Sequence, residues 1–298
     1  MIFFTLLLSS SCVKKTEEMV GPTMGTIDII ADQSIKDIVE QEKEIFERTY
    51  KYAKLNIRYA TEFDMFHQFL ADSVDAIMTT RALTPEETKY LDQFQAIARH
   101  YAFATGAIAF ITNKNVSDTT YTYEEMISKL ADEKSGVLFV IENVKSGISN
   151  EVLKCIDKTS LPGHFYELPS KKEVLEYVQA HDNAIGIIDY SDISDSDNPF
   201  TKQVLESIHL LGISRPVDSL QAGFVQPFQY NLQDWKYPFT RQLYFISKTG
   251  KSDVGTGFAS FISGDIGQKI ILKAGLLPRF QSERNIEINR TSDIKVIK

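Results

Sequence analysis

From Thr26 onward the apolar positions of this chain keep changing period. "TIDIIA" is a short β-branched run. "SIKDIVEQEKEIFERTY" then places Ile35, Ile38, Val39, Ile45 and Phe46 at helical spacing. "LNIRYA" returns to strand, "EFDMFHQFLA" reads as an aromatic-faced helix, and "SVDAIMTT" is a strand again. Later come "GAIAFITN", "GVLFVI" and "AIGIIDY", each apolar and bounded by turn residues. Strand–helix–strand repetition of this kind predicts a largely parallel sheet with helices on both faces. It occurs twice, which predicts two α/β lobes with a cleft between them.

Capping chemistry supports the helices. "TPEE" at 84–87 offers Thr84 as N-cap, Pro85 at the first helical position and Glu87 three residues on. "TYEE" at 122–125 and "SKKE" at 170–173 repeat the device. "GTGFAS" at 255–260 starts like a dinucleotide fingerprint, yet it lacks the third glycine and follows a polar turn. It reads instead as the start of a closing helix, with Gly255 and Gly257 permitting close packing. No internal repeat or low-complexity stretch is present.

At 298 residues the chain can bury a large core. The net charge of −8 argues against nucleic acid, because phosphate-backbone binding needs clustered Lys and Arg, and no basic stripe occurs. Any anion must therefore be held in a local pocket. The opening "MIFFTLLLSSSC" is too short to span a bilayer, which takes about 20 apolar residues. It resembles a bacterial lipoprotein signal, with Cys12 as the lipidated first mature residue, although no Lys or Arg precedes the apolar run. "VKKTEEMVGPTMG" then reads as a tether. Setting Cys12 aside leaves Cys155 alone, so the folded region is expected to hold neither a disulfide nor a zinc site. Cys155 lies at an apolar helix position and reads as a buried structural thiol. In "DYSDISDSDNPF", at 189–200, Asp192, Asp195 and Asp197 lack the glycine and the bidentate Glu of an EF-type calcium loop. A solvated loop is expected there.

In open α/β sheets, ligands sit at the carboxyl ends of strands, where helix N-termini converge. Three such turns have the chemistry for an oxyanion. In "ADQS", Ser34 would cap a helix over 34–49. In "MTTRALT", Thr79, Thr80 and Arg81 follow a buried strand, and Arg81 could supply a bidentate fork. In "KSGISN", Ser146, Gly147, Ile148 and Ser149 open a helix over 148–156, pointing backbone N–H groups at one spot.

These turns, together with "DAIMTTRALTPEE", "GAIAFITNKN", "EYVQAHDNAIGIIDY" and "YPFTRQLYFISKTG…GTGFASFISGDIGQKIILKAGLLP", resemble the phosphate-binding, type II periplasmic substrate-binding proteins of ABC transporters. The likeness covers nearly the whole chain from Thr26, and its specificity lies in the order of the segments. It implies a two-lobed α/β fold with mixed, largely parallel sheets and a hinge. It also implies an anion held by Ser34, Thr79, Thr80, Arg81, Ser146 and Gly147. Two positions depart from the pattern: Ile148 replaces a hydroxyl donor, and Glu142 stands where members of that family place an arginine. Thr105 likewise stands where Asp is common. If Glu142 faces the ligand, it would accept the proton of monohydrogen phosphate and disfavour sulfate, which carries none at neutral pH.

The layout that follows is a signal at 1–11, a tether at 12–25, a first lobe from 26–105 plus the return 236–298, and a second lobe at 106–235. Crossovers fall near 104–108 and 232–242, so Trp235 and Tyr237 would report closure. The expected function is capture of phosphate or a similar tetrahedral oxyanion by a lipid-anchored, monomeric envelope protein. The expected partner is an ABC permease, and no cofactor is implied. The alternative is the same fold serving as a surface lipoprotein with a degenerate anion site. Catalysis is not expected: the five histidines (67, 100, 164, 181 and 209) lack metal spacing, and no G-x-S-x-G elbow occurs.

Overall fold

The computed structural model describes residues 20–195, 198–216, 223–249 and 252–280. Cys12 and Asp197 lie outside them. The chain opens with β1 (Met24–Asp32), a 3-10 turn (Gln33–Ile35) and α1 (Lys36–Thr49). Next come β2 (Tyr52–Ala60), α2 (Glu62–Leu70), β3 (Ala76–Thr79), α3 (Pro85–Asp92) and the long β4 (Arg99–Asn113). The middle holds β5 (Thr120–Tyr121), α4 (Tyr123–Ala131), β6 (Leu138–Ile141), α5 (Gly147–Cys155), β7 (Phe165–Glu167) and α6 (Lys171–Ala180). It continues with β8 (Ala184–Asp189), a second 3-10 turn (Tyr190–Ile193), α7 (Pro199–Ser207), β9 (Ile208–Leu210), β10 (Gly212–Ile213) and α8 (Gln229–Gln233). The chain returns through β11 (Thr240–Ser247), α9 (Val254–Ser263), α10 (Asp265–Lys273) and β12 (Leu277–Pro278).

The main sheet runs β2-β1-β3-β11-β4-β8-β6-β7. β1 lies parallel to β2 and β3, and β6 parallel to β7 and β8, as strand–helix–strand units require. The mixed character comes from β11, which runs antiparallel to both β3 and β4, and from β4, which runs antiparallel to β8. Arg99–Ala107 of β4 pairs antiparallel with β11, whereas Ile108–Thr112 pairs antiparallel with β8. One continuous strand thus belongs to both lobes, with its pairing partner changing at Ala107/Ile108.

Alternation along the strands sorts the first lobe into two cores, because successive side chains leave a strand on opposite faces. Ile29, Met78 and Phe245 go to the face covered by α1, α9 and α10. Ile30, Ile77 and Ile246 go to the face covered by α2 and α3. Phe46 of α1 packs edge-on against Phe258 and Phe261 of α9, with centroids 5.2 and 5.3 Å apart. Each such buried ring contributes about 1.5–3 kcal/mol. Gly257 has no room for a Cβ against the Pro22 carbonyl, so the glycine read as a packing residue is one. Among these apolar contacts Glu42 is fully buried, with neither carboxylate oxygen partnered, and burial pushes its pKa up to about 9. The second lobe has its own core around Phe110, Phe139, Ile187 and Phe239.

Thr84/Glu87 and Thr122/Glu125 form reciprocal capping boxes. Ser170 accepts the Glu173 N–H, so α6 is capped from the predicted residue. Two local expectations need correction. Ser34 is not a cap: Asp32 accepts its N–H at 2.8 Å, and α1 begins after Ile35 without a side-chain cap. The Asp32 carboxyl oxygen two residues upstream takes that N–H and turns the chain first. The acidic loop is also only partly solvated, since Asp192 lies in the second 3-10 turn and pairs with Lys171 at 2.6 Å. Cys155 is half-buried, and burial pushes its thiol up to about 11, so it is an inert thiol.

Candidate functional site

The carboxyl ends of β1, β2, β3, β6 and β8 converge where the lobes meet. α5 begins here with Ser146 as N-cap, its Oγ accepting the Ser149 N–H at 3.3 Å. The Ser149 hydroxyl is turned back to the Asn143 carbonyl at 2.7 Å, so it braces the loop rather than facing the cleft. Against this helix end the first lobe sets Asp32, Glu62 and Thr80. A Cβ added to Gly147 would lie within 3.0 Å of Thr80 Oγ1, Asp32 Oδ2 and Glu62 Oε2. Only glycine permits so close an approach across the cleft.

Ser34, Glu142, Ser146 and Ile148 line a common cavity with Asp32 and Lys171. Its volume is about 20 Å³, room for a water but less than a tetrahedral oxyanion occupies. Thr79 is fully buried at the end of β3, and Thr80 reaches Glu62 Oε2 at 3.5 Å. Thus Ser34, Thr80 and the 146–148 turn meet as their sequence positions suggest, while Ser149 and Thr79 serve the loops that carry them.

Arg81 does something other than the expected anion fork. Its Nε donates to Glu62 Oε1 at 3.0 Å, and its two terminal nitrogens grip Glu87 at 2.8 Å each. The guanidinium lies 3.5 Å over the Phe66 ring. Burial opposes its charge, yet the Glu87 and Glu62 carboxylates hold its pKa above the ordinary value. Its donors are directed to the protein's own acids.

The buried cation of the cleft is instead Arg241, from β11, which is 3% exposed. It donates through Nη1 to Ser34 Oγ at 3.1 Å and through Nη2 to Asp189 Oδ2, while Nε has no partner. Asp189 is oriented by the Ser191 N–H and hydroxyl, at 2.8 and 2.6 Å. Burial works against the guanidinium charge, and Asp189 and Asp32 raise its pKa in spite of that. Asp32 is fully buried. Burial raises its pKa, Arg241 pulls it back, and Oδ2 finds no hydrogen bond.

Two more contacts cross the cleft. Asn150 Nδ2 of α5 donates to Glu62 Oε1 at 2.9 Å. Lys171 Nζ of α6 reaches Asp37 Oδ2 at 3.2 Å and Asp192 Oδ1 at 2.6 Å. Beside these contacts, α2 and the 159–165 loop bound a groove of about 960 Å³ lined by Phe63, Phe66, Leu153 and Leu161 together with Glu62, Arg81 and Asn150. No group of three or more His, Cys, Asp or Glu with metal-binding geometry occurs among the described residues.

Sequence reasoning passed over Asp32, Glu62, Asp189 and Arg241. The signal existed. "IIAD" and "YATE" put acids at the same strand ends that carry the hydroxyls, and Arg241 is a lone charge within an apolar run.

Residues 16–265 match the model of the PBP superfamily domain. Among solved structures, a candidate phosphate ABC transporter substrate-binding protein with bound phosphate, from Clostridium perfringens, aligns with a TM-score of 0.67 at 18% identity, over 85% of this chain and 99% of its own. An ABC-type phosphate transport receptor from Vibrio cholerae aligns at 0.66 and 14% identity, over 85% and 100%. PstS from Borrelia burgdorferi aligns at 0.57 and 19% identity, over 85% and 98%. No curated protein matches the chain.

Proposed function

Because the chain belongs to the PBP superfamily, we propose that it is a solute-binding protein. It captures phosphate or a related tetrahedral oxyanion between its lobes and delivers it to an ABC-type permease. One observation carries this: the N-terminus of α5, in one lobe, faces Ser34 and Arg241 of the other across a buried seam. A helix N-terminus contributes up to about 2 kcal/mol toward an anion when partly buried. A guanidinium with an unused Nε adds a charge-assisted donor. Solved relatives described as phosphate transport receptors support the ligand class. On this reading the lobes divide at 105/106 and 235/236, the ligand enters by hinge motion, and no chemistry follows. A lipid on Cys12 and the 12–25 tether hold the monomer at the cell envelope.

Thermal unfolding against phosphate, sulfate, molybdate and a phosphonate tests the reading. A ligand that binds only the native state raises the melting temperature with concentration. A saturable rise for at least one oxyanion is expected. Flat curves for all four, in the wild type and in the variants described below, refute oxyanion capture.

A second reading has a specific observation in its favour. The acids of the cleft outnumber its free cations, which suits a surface lipoprotein whose fold no longer serves import. Permease and ATPase genes beside this one support import, and their absence supports the alternative.

A further inference from the structure

The first turn of α5 already has anions against it. Asp32 Oδ2 is fully buried, has no hydrogen-bond partner, and lies beside Gly147. Glu62 is 4% exposed and approaches the same glycine from α2. It is fixed there by Arg81 at 3.0 Å from its own lobe and by Asn150 at 2.9 Å from the other. Two carboxylates from the first lobe thus meet the positive end of a helix in the second. A helix N-terminus stabilises a carboxylate for the same reason that it stabilises a phosphate. The nearby cations are already engaged by the protein's own acids: Arg81 pairs with Glu62 and Glu87, and Arg241 pairs with Asp189 and draws the Asp32 pKa down.

We infer that Asp32 and Glu62 are a built-in competitor: they take the place of an oxyanion at the α5 N-terminus, hold the lobes together without ligand, and set the affinity of the cleft. The inference rests on the oxyanion reading for its ligand, but its closure component stands by itself. The competing groups are attached to the lobe that the ligand must approach, so binding requires their displacement as well as desolvation of the incoming ion. An incoming dianion must also displace Glu62 from Gly147 and enter, beside Asp32, a cavity of only about 20 Å³.

Two double variants test this in the full chain: Asp32→Ala with Glu62→Ala, which removes charge and volume, and Asp32→Asn with Glu62→Gln, which removes charge alone. The amide pair guards against loss of folding in the alanine pair, and each is checked for cooperative unfolding. Small-angle scattering without ligand reads closure, and calorimetric titration with inorganic phosphate reads affinity. The radius of gyration should rise in both variants relative to wild type. Phosphate affinity should rise roughly 100-fold in the alanine pair and about 10-fold in the amide pair. An unchanged radius of gyration in both folded variants overturns the inference, as does phosphate binding more tightly to wild type than to either. Opening of both variants with no phosphate binding in any chain sustains the built-in competitor and removes the oxyanion reading.

Discussion

The two walls of the cleft are made by one device, a strand running into a helix, and they carry opposite electrostatics. The second-lobe wall is the N-terminus of α5, whose side chains are Ser146, Gly147, Ile148 and Ser149, all uncharged. The field of that turn comes from the backbone, while Glu142, Lys171 and Asp192 of the same lobe line the cavity beside it. The first-lobe wall places an acid at the carboxyl end of β1 and another just beyond β2, Asp32 and Glu62, in front of buried Arg241. A wall of amides is complementary to any anion. A wall of carboxylates is complementary to that wall of amides. The cleft is therefore self-complementary, and a ligand must do better than the protein's own side chains.

The largest effect expected on this contrast comes from Asp189→Ala. Asp189 and Arg241 are each 1% exposed in their side chains, and the pair joins β8 of one lobe to β11 of the other. Removing the acid leaves a buried guanidinium with Ser34 as its remaining hydrogen-bond partner. Breaking a buried pair in this way costs about 3–5 kcal/mol. Denaturant unfolding should show the loss as a shifted midpoint with an unchanged slope. A cost under about 1 kcal/mol would mean that Asp32 neutralises Arg241 unaided.

Gly147→Ala comes next, and it separates closure from stability. The three atoms nearest to the added methyl are all oxygens of the opposite wall. Overpacking of this kind costs about 1–3 kcal/mol when the structure cannot yield. Here it can, by opening. The melting temperature should fall only slightly while the ligand-free radius of gyration rises. A large loss of stability with no opening would mean that the walls are locked by something other than their charges.

These contacts mark where sequence reading stops. The strands and helices were legible because they follow from period and from caps that act over three residues, as at Thr84 and Thr122. The hydroxyl turns were legible because the ends of parallel strands are a topological place. Pairings between distant segments were not. Arg241 meets Ser34 across 207 positions and Asp189 across 52. No local pattern tells an arginine that faces a ligand from one that faces an aspartate. Arg81 shows the same limit: "TTRALTPEE" contains Glu87, the residue that occupies its guanidinium, but there it reads only as half of a capping box. In fact Glu87 does both, accepting the Thr84 N–H and pairing with Arg81.

The smallest effect should come from Lys171→Met, which tests the rim. Lys171 links Asp37 on the first lobe, 67% exposed, to Asp192 on the second, 11% exposed. The exposed half contributes about 0–1 kcal/mol and should fade with added salt. The other half depends on pH. Burial raises the Asp192 pKa, Lys171 draws it down and Asp189 pushes it up, and together they leave it at about 7. With its folded pKa above the unfolded value near 3.8, Asp192 binds a proton more readily in the folded state. Its destabilising contribution is absent below pH about 4, grows as pH rises toward 7, and is constant above. Removing the lysine raises the folded pKa further and lengthens that window upward. The difference in unfolding free energy between wild type and Lys171→Met should therefore be small at pH 5 and larger at pH 8, about 1 kcal/mol there. A difference that shrinks from pH 5 to pH 8 would show that Lys171 serves Asp37 rather than Asp192, and would make the rim an exposed bridge between lobes instead of a buried charge pair that they share.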